Sequence, residues 1–243
     1  MLDPAKDAPE EIDHRGWLQI ENQGAEGSCA GHSTSSVLEV CNYIASGGGV
    51  VQLSRMFCYL SGQIAAGLIG SDQGCTIGGA IQGAKERGAP LESTFPYSGH
   101  YETDIPQPAI DEAVQHKLRS HSVLTSERDV FGFLAKGIGG VICGVPWNQS
   151  LASNDGVVET AHGKILGMHA IPLVGYSRRK DAAGRNYYWL PNSWGPTWGD
   201  KGWAEIAPAI VEYWIENGCV VIGASDLQSY GPRKIVSFRG MVG

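Results

Sequence analysis

Apolar positions recur at helical spacing in the first half of the chain and fall into short strand-like runs in the second. After Cys29, the residues Val37, Leu38, Val40, Cys41, Tyr43 and Ile44 keep to one side of a helix, and Gly47-Gly48-Gly49 closes the run. Ser54 has the side chain to cap a second helix carrying Met56, Phe57, Leu60 and Ile64. A third helix is predicted after Gly78-Gly79, with Ala80, Ile81 and Ala84 on its inner side and Gly88 as its end. Upstream, residues 17–20 form a short apolar run in an extended entry segment and predict a strand. Residues 127–135 predict one more short helix. Strands are predicted at 140–143, 170–176, 187–190, 202–206 and 220–222, with the basic stretch 177–185 as a hairpin loop. Helices first and strands afterwards predict an α+β fold, with the boundary between its two parts inside 115–125.

The 243 residues suffice for one large domain or two lobes, and 42% hydrophobic residues supply an ordinary core. A net charge of −7, without a lysine/arginine cluster, excludes nucleic acid and anionic membrane as the expected partners. No apolar run is long enough to span a bilayer, and residues 1–7 lack the basic start and apolar core of a signal peptide. The six cysteines have no framework spacing and predict free thiols in a reducing compartment such as the cytoplasm, one bridge in an oxidising setting being the alternative. The tail 228–243 is expected to be an appendage, the alternatives being a segment that packs on the body or occupies a cleft.

Three separated segments carry side chains that can act together. Gln23 stands six positions before Cys29, at the start of the first predicted helix; His169 opens an apolar strand; Asn192 lies in Asn192-Ser193-Trp194-Gly195. A cysteine at a helix start is stabilised as thiolate by the helix macrodipole and by a neighbouring imidazolium. His169 can supply that imidazole and later protonate a leaving amine, and Asn192 can hold its ring in one tautomer. Trp194 can cover the His–Asn hydrogen bond, and the Gln23 amide can meet a developing oxyanion together with the Cys29 backbone N–H. Each residue alone has a plainer explanation in a core or a turn; their joint order does not.

This joint pattern resembles the papain-like cysteine peptidases, the family that includes the cathepsins. The matching pieces are Gln23…Gly27-Ser28-Cys29, Leu53-Ser54, Gly74-Cys75…Gly78-Gly79, Tyr97, His169-Ala170…Val174-Gly175-Tyr176 and Asn192-Ser193-Trp194-Gly195…Trp198-Gly199…Gly202-Trp203. The resemblance implies a papain-like two-lobed fold with the active-site cleft between a helical lobe and a β-barrel-like antiparallel lobe. On this basis residues 22–120 are expected to form the helical lobe, and 1–21 with 121–243 the β-rich one. It implies an endopeptidase acting through an acyl-enzyme on peptide or protein substrates. Cys29 would be the nucleophile, His169 the base and acid, Asn192 the orienting group and Gln23 the oxyanion donor. Gly78 and Gly79 would line the cleft beside an extended substrate, although the pair also fits a plain helix-start turn. Met168, with Ala80 and Cys143, is expected at a pocket for an apolar side chain two positions before the scissile bond. A transpeptidase or cyclase, and an inert peptide-binding homologue, are the alternative functions.

The departures from the family pattern carry their own expectations. Glu26 stands where a cysteine is usual and Ala30 where an aromatic is usual, so Cys75 is expected to lack its family disulfide partner. The absence of an inhibitory pro-segment resembles bacterial or viral members. His32, three residues after Cys29, either competes with His169 as base or replaces a bulky core residue. Cys29-x-x-His32 is only half a zinc ligand set, so neither a metal nor another cofactor is expected.

Overall fold

The computed structural model describes residues 8–228. Its helices are α1 (Cys29–Ser46), α2 (Arg55–Ala66), α3 (Ile77–Glu86), α4 (Gln107–Ala113), α5 (Glu127–Ala135), α6 (Gln149–Ala152) and α7 (Pro208–Glu216). Its strands are β1 (Lys117–Val123), β2 (Gly139–Asn148), β3 (Val157–Val158), β4 (Ile165–Leu173), β5 (Gly175–Lys180), β6 (Asn186–Pro191), β7 (Trp203–Ile206) and β8 (Val220–Gln228). Two four-stranded sheets result, ordered β1-β8-β2-β4 and β3-β7-β6-β5, and every pairing is antiparallel except β3 with β7. The expected α+β arrangement is what the chain adopts. The expected tail lies, from residue 229 onwards, outside the described residues.

α1 is the element on which the site depends, and its sequence explains its position. Its middle, His32 to Ser36, is polar yet buried. The hydroxyls there turn back onto their own helix: Thr34 donates to the Ala30 carbonyl at 2.7 Å, and Ser35 and Ser36 donate to that of His32 at 2.9 and 3.0 Å. These short self-satisfied hydroxyls let the helix run deep between other elements. A Cβ on Gly31 would stand 2.6 Å from that of Tyr59 and 2.7 Å from the Arg55 carbonyl, so only glycine permits this approach of α1 to α2. Val37, Leu38 and Cys41 share one buried cluster with Ile142, Ala170 and Ile222 from β2, β4 and β8. α1 is thereby fixed against the sheet. A separate core fills the β-rich part under α5 and α7, around Trp147, Tyr176, Tyr188 and Trp214.

The helix ends follow local chemistry. Ser54 accepts a hydrogen bond from Phe57 N–H and caps α2, and Gly47 ends α1 in the left-handed conformation at φ 73°. α3 begins earlier than expected, because Thr76 caps it by accepting from Gly79 N–H; both glycines therefore lie inside its first turn. Residues 17–20 form no strand. Trp17 and Leu18 belong to a turn closed by the His14 carbonyl, and Trp17 stacks on Tyr43 at 4.2 Å. Most of the expected loop 177–185 is strand or tight turn: β5 continues to Lys180, and Asp181 closes the hairpin with Arg185. β1 spans the expected lobe boundary at 120/121 and pairs with β8.

Candidate active site

Cys29 is the first residue of α1. The backbone N–H groups of Cys29 and Ala30, and that of Ala170 next to His169, are directed at its sulfur and favour the thiolate, while burial pushes the thiol pKa up and prevails. No acidic residue stands in the first turn of α1. His169 is carried by β4, opposite Val145 of β2, and is 7% exposed. Its Nε2 lies 2.9 Å from Asn192 Oδ1. The backbone N–H of Ser193 donates to the same Oδ1 at 2.9 Å, which identifies that atom as the oxygen. Nε2 must therefore carry hydrogen, and Nδ1 is the ring nitrogen free to receive a proton. Burial lowers the His169 pKa, against the Asn192 hydrogen bond, which raises it.

Burial thus penalises a lone charge on either group. Moving the proton from sulfur to imidazole makes both charges together, and their mutual attraction offsets what each would cost singly.

Gln23 reaches the site through a short clamp. Its N–H bonds the Ser193 carbonyl at 2.8 Å, and Gly195 N–H bonds the Glu21 carbonyl at 2.8 Å. The Gln23 amide is oriented without ambiguity, since Nε2 faces the Glu26 carbonyl at 2.7 Å and Oε1 accepts from Ser193 Oγ at 2.6 Å. One Nε2 hydrogen remains for another acceptor. Cys29, His169 and Gln23 all line a cleft of about 880 Å³, together with Gly78, Met168 and Trp194. Asn192 lies behind the cleft surface, 3% exposed.

The other expected residues divide. Met168 is 72% exposed at the cleft edge beside Leu166. Gly78 faces the cleft with nothing near its missing side chain. Gly79 does not: a Cβ there would meet the Gly62 carbonyl at 2.7 Å, so its glycine serves the packing of α3 on α2. Ala80 and Cys143 are buried in the two cores and do not line the cleft. His32 does not line it either. Its ring is 2% exposed, edge-on to Tyr97 at 4.6 Å, and burial pushes its pKa down to about 3.

Two features were missing from the sequence reading. Trp147 of β2 packs edge-on against His169, with ring centroids 4.7 Å apart, while Trp194 covers the imidazole at 5.4 Å. Only the β2–β4 register brings Trp147 there. Asp72, rather than Cys75, holds the loop before Cys29: its two carboxylate oxygens accept from Gly27 N–H at 3.0 and 3.1 Å, and the Tyr59 hydroxyl donates to it at 2.6 Å. No two of the six cysteines form a disulfide. Among the described residues, no group of three or more His, Cys, Asp or Glu side chains is arranged to hold a metal ion, and no helix is long and apolar enough to cross a membrane.

Residues 8–222 match the family described as papain family cysteine protease. Chymopapain from Carica papaya is 28% identical over 205 residues, covering 82% of this chain and 54% of its own length. Among solved structures, xylellain, a cysteine protease from Xylella fastidiosa, superposes with a TM-score of 0.74 at 18% identity, over 93% of this chain and 89% of its own. The bromelain protease from Ananas comosus, solved with the E64 inhibitor, gives 0.71 at 20% identity, over 90% and 99%. These two structures share the fold. The chain spans 54–60% of the length of chymopapain, a cathepsin L-like proteinase from Phaedon cochleariae and a probable cysteine protease from Arabidopsis thaliana.

Proposed function

The chain belongs to the papain family of cysteine proteases, and from that we propose that it is a cysteine endopeptidase acting on peptide or protein substrates. The observation that carries this reading is the oriented pair His169–Asn192 in a cleft shared with Cys29 at the start of α1. The Cys29 sulfur passes its proton to His169 Nδ1 and attacks the scissile carbonyl carbon. The carbonyl π electrons move to oxygen, where the free Gln23 Nε2 hydrogen and the Cys29 backbone N–H meet the negative charge. On collapse the C–N bond breaks, Nδ1 gives its proton to the departing amine, and a thioester remains on Cys29. Nδ1 then takes a proton from water as the water oxygen attacks the thioester, and the sulfur leaves with the C–S electron pair. Trp147 and Trp194 keep the imidazole dry, which strengthens its bond to Asn192.

Met168 and Leu166 give one cleft edge an apolar character, which supports an apolar substrate side chain near the scissile bond. Gly78, free of a side chain, supports close approach of an extended substrate backbone. Residues 22–120, with 1–21 and 121–243, remain our division into lobes, supported by one buried cluster around Met56, Phe57, Phe95 and Ala113 that lies within the first part and another around Trp147, Tyr188 and Trp214 that lies within the second. Six cysteines without a disulfide among them support a reducing setting.

The test is cleavage of a peptide library by the protein and by Cys29→Ala, with intact-mass measurement after an epoxide thiol-protease inhibitor. One adduct, mapped to Cys29, and complete loss of cleavage and labelling in the variant are expected. Undiminished cleavage by the variant overturns the proposal. Joined peptides among the products would transfer the acyl group to an amine instead of water.

A further inference from the structure

A second, smaller pocket shares no lining residue with the cleft. It measures about 10 Å³ as swept by a water-sized sphere, enough for one water, and is bordered by His32 from α1 and Asn192 together with Ser36, Pro172, Pro191 and Ser193. Two of these bordering residues each carry a buried polar atom without a hydrogen-bond partner: His32 Nε2 and Asn192 Nδ2. Both residues are deeply buried, at 2% and 3% exposure. Leaving either atom unpaired is costly, on the order of a strong hydrogen bond each.

The two atoms are of opposite kind. His32 Nδ1 lies 3.2 Å from the Ser28 backbone carbonyl, which can only accept, so Nδ1 carries the hydrogen and Nε2 presents a lone pair. Burial keeps the ring neutral. Asn192 Nδ2 presents a hydrogen, because its Oδ1 is committed to His169 and to Ser193 N–H. A single water is the smallest group that satisfies both, giving a proton to Nε2 and accepting one from Nδ2.

We propose that this pocket is a site for one ordered water bridging His32 Nε2 and Asn192 Nδ2, and that His32 is thereby a positioning residue that holds the Asn192 carboxamide with its oxygen toward His169. A flip of the carboxamide would turn NH2 against the Nε2–H of His169, and the bridge opposes that flip. The role assigned to Asn192 rests on the peptidase reading above; the water site itself does not.

Two measurements test it. A high-resolution crystal structure of the unmodified protein should show one ordered water within hydrogen-bonding distance of both nitrogens. A dry pocket, or a water reaching neither, overturns the proposal. In peptide hydrolysis, His32→Phe, which fills the pocket and removes the acceptor, should lower kcat on the order of tenfold with KM little changed. In the Asn192→Ala background the same substitution should have no further effect. An equal loss in both backgrounds, or a change in KM alone, overturns the positioning role. Should His32→Phe fail to fold, the crystallographic arm still decides. Failure of the peptidase reading is separately visible as cleavage that survives Cys29→Ala.

Discussion

The carboxamide of Asn192 accepts two hydrogen bonds through one oxygen, and this settles which nitrogen of His169 is left for chemistry. Removing that oxygen lowers the imidazole pKa further, since the Asn192 bond is what raises it. The active form needs a protonated imidazole beside a thiolate, so kcat/KM should be bell-shaped in pH, with the imidazole setting its alkaline limb. Asn192→Ala should move that limb to lower pH and cut kcat/KM by about 10- to 100-fold. An unmoved limb would remove Asn192 from the imidazole's titration. That Cys29, His169 and Gln23 meet at one cleft, with Asn192 bonded to His169 behind it, was legible because the motifs carrying them are rarely assembled by chance. Trp147 was not, because an indole inside an apolar strand looks like any core residue until β2 is registered against β4. Gly79 misled for the opposite reason: a glycine required by close helix packing and one required by a substrate backbone are identical in sequence.

Among the elements, the link between α1 and α2 carries a buried charge cluster. Arg55, 2% exposed, pairs with Glu92 at 2.9 Å and with Glu21, and lies 3.9 Å from Glu39. Glu39 also accepts from Leu53 N–H at 2.9 Å, and burial pushes its pKa up to about 8 from an ordinary 4.5. The folded state thus holds this proton more tightly than the unfolded chain. The resulting stability is fully present below pH 4.5 and is lost as pH rises toward 8. Glu39→Gln keeps an acceptor for Leu53 but cannot ionise. The fall in the urea midpoint between mildly acidic and mildly alkaline buffer should therefore be smaller in the variant, by a few kcal/mol at most once converted to free energy. Equal falls would take Glu39 out of the pH dependence. The helices α1, α2 and α5 were readable because each has a one-sided apolar pattern and, for α2 and α5, a serine cap. β1 was not, since six of its seven residues are exposed or half-buried and show no alternation. α7 went unread despite Pro208 at its start and Ile210, Val211 and Trp214 at helical spacing, because it interrupts a run of strands.

At the level of the whole molecule, no disulfide links distant parts of the described chain. Thermal unfolding should give the same Tm with and without dithiothreitol. A drop in Tm on adding reductant would reveal a disulfide and overturn the thiol assignment. Activity, by contrast, should fall on exposure to peroxide and return with reductant as far as Cys29 is oxidised no further than a sulfenic acid or a disulfide. The α+β order was legible from composition along the chain, since helical periodicity and strand-like runs occupy different halves. The depth at which α1 lies was not, because its buried middle is polar, with threonine and serine hydroxyls that bond back onto the helix.

The loop ahead of Cys29 is fastened by the Gly27 N–H, shared between both carboxylate oxygens of Asp72, and the Tyr59 hydroxyl of α2 holds that carboxylate in place, with no covalent staple. Such a fastening closes as soon as the chain collapses and needs no electron acceptor. Nascent or denatured chains can therefore reach the working cleft in a thiol-rich buffer at the pace of folding alone, with no isomerase to correct mispaired sulfurs.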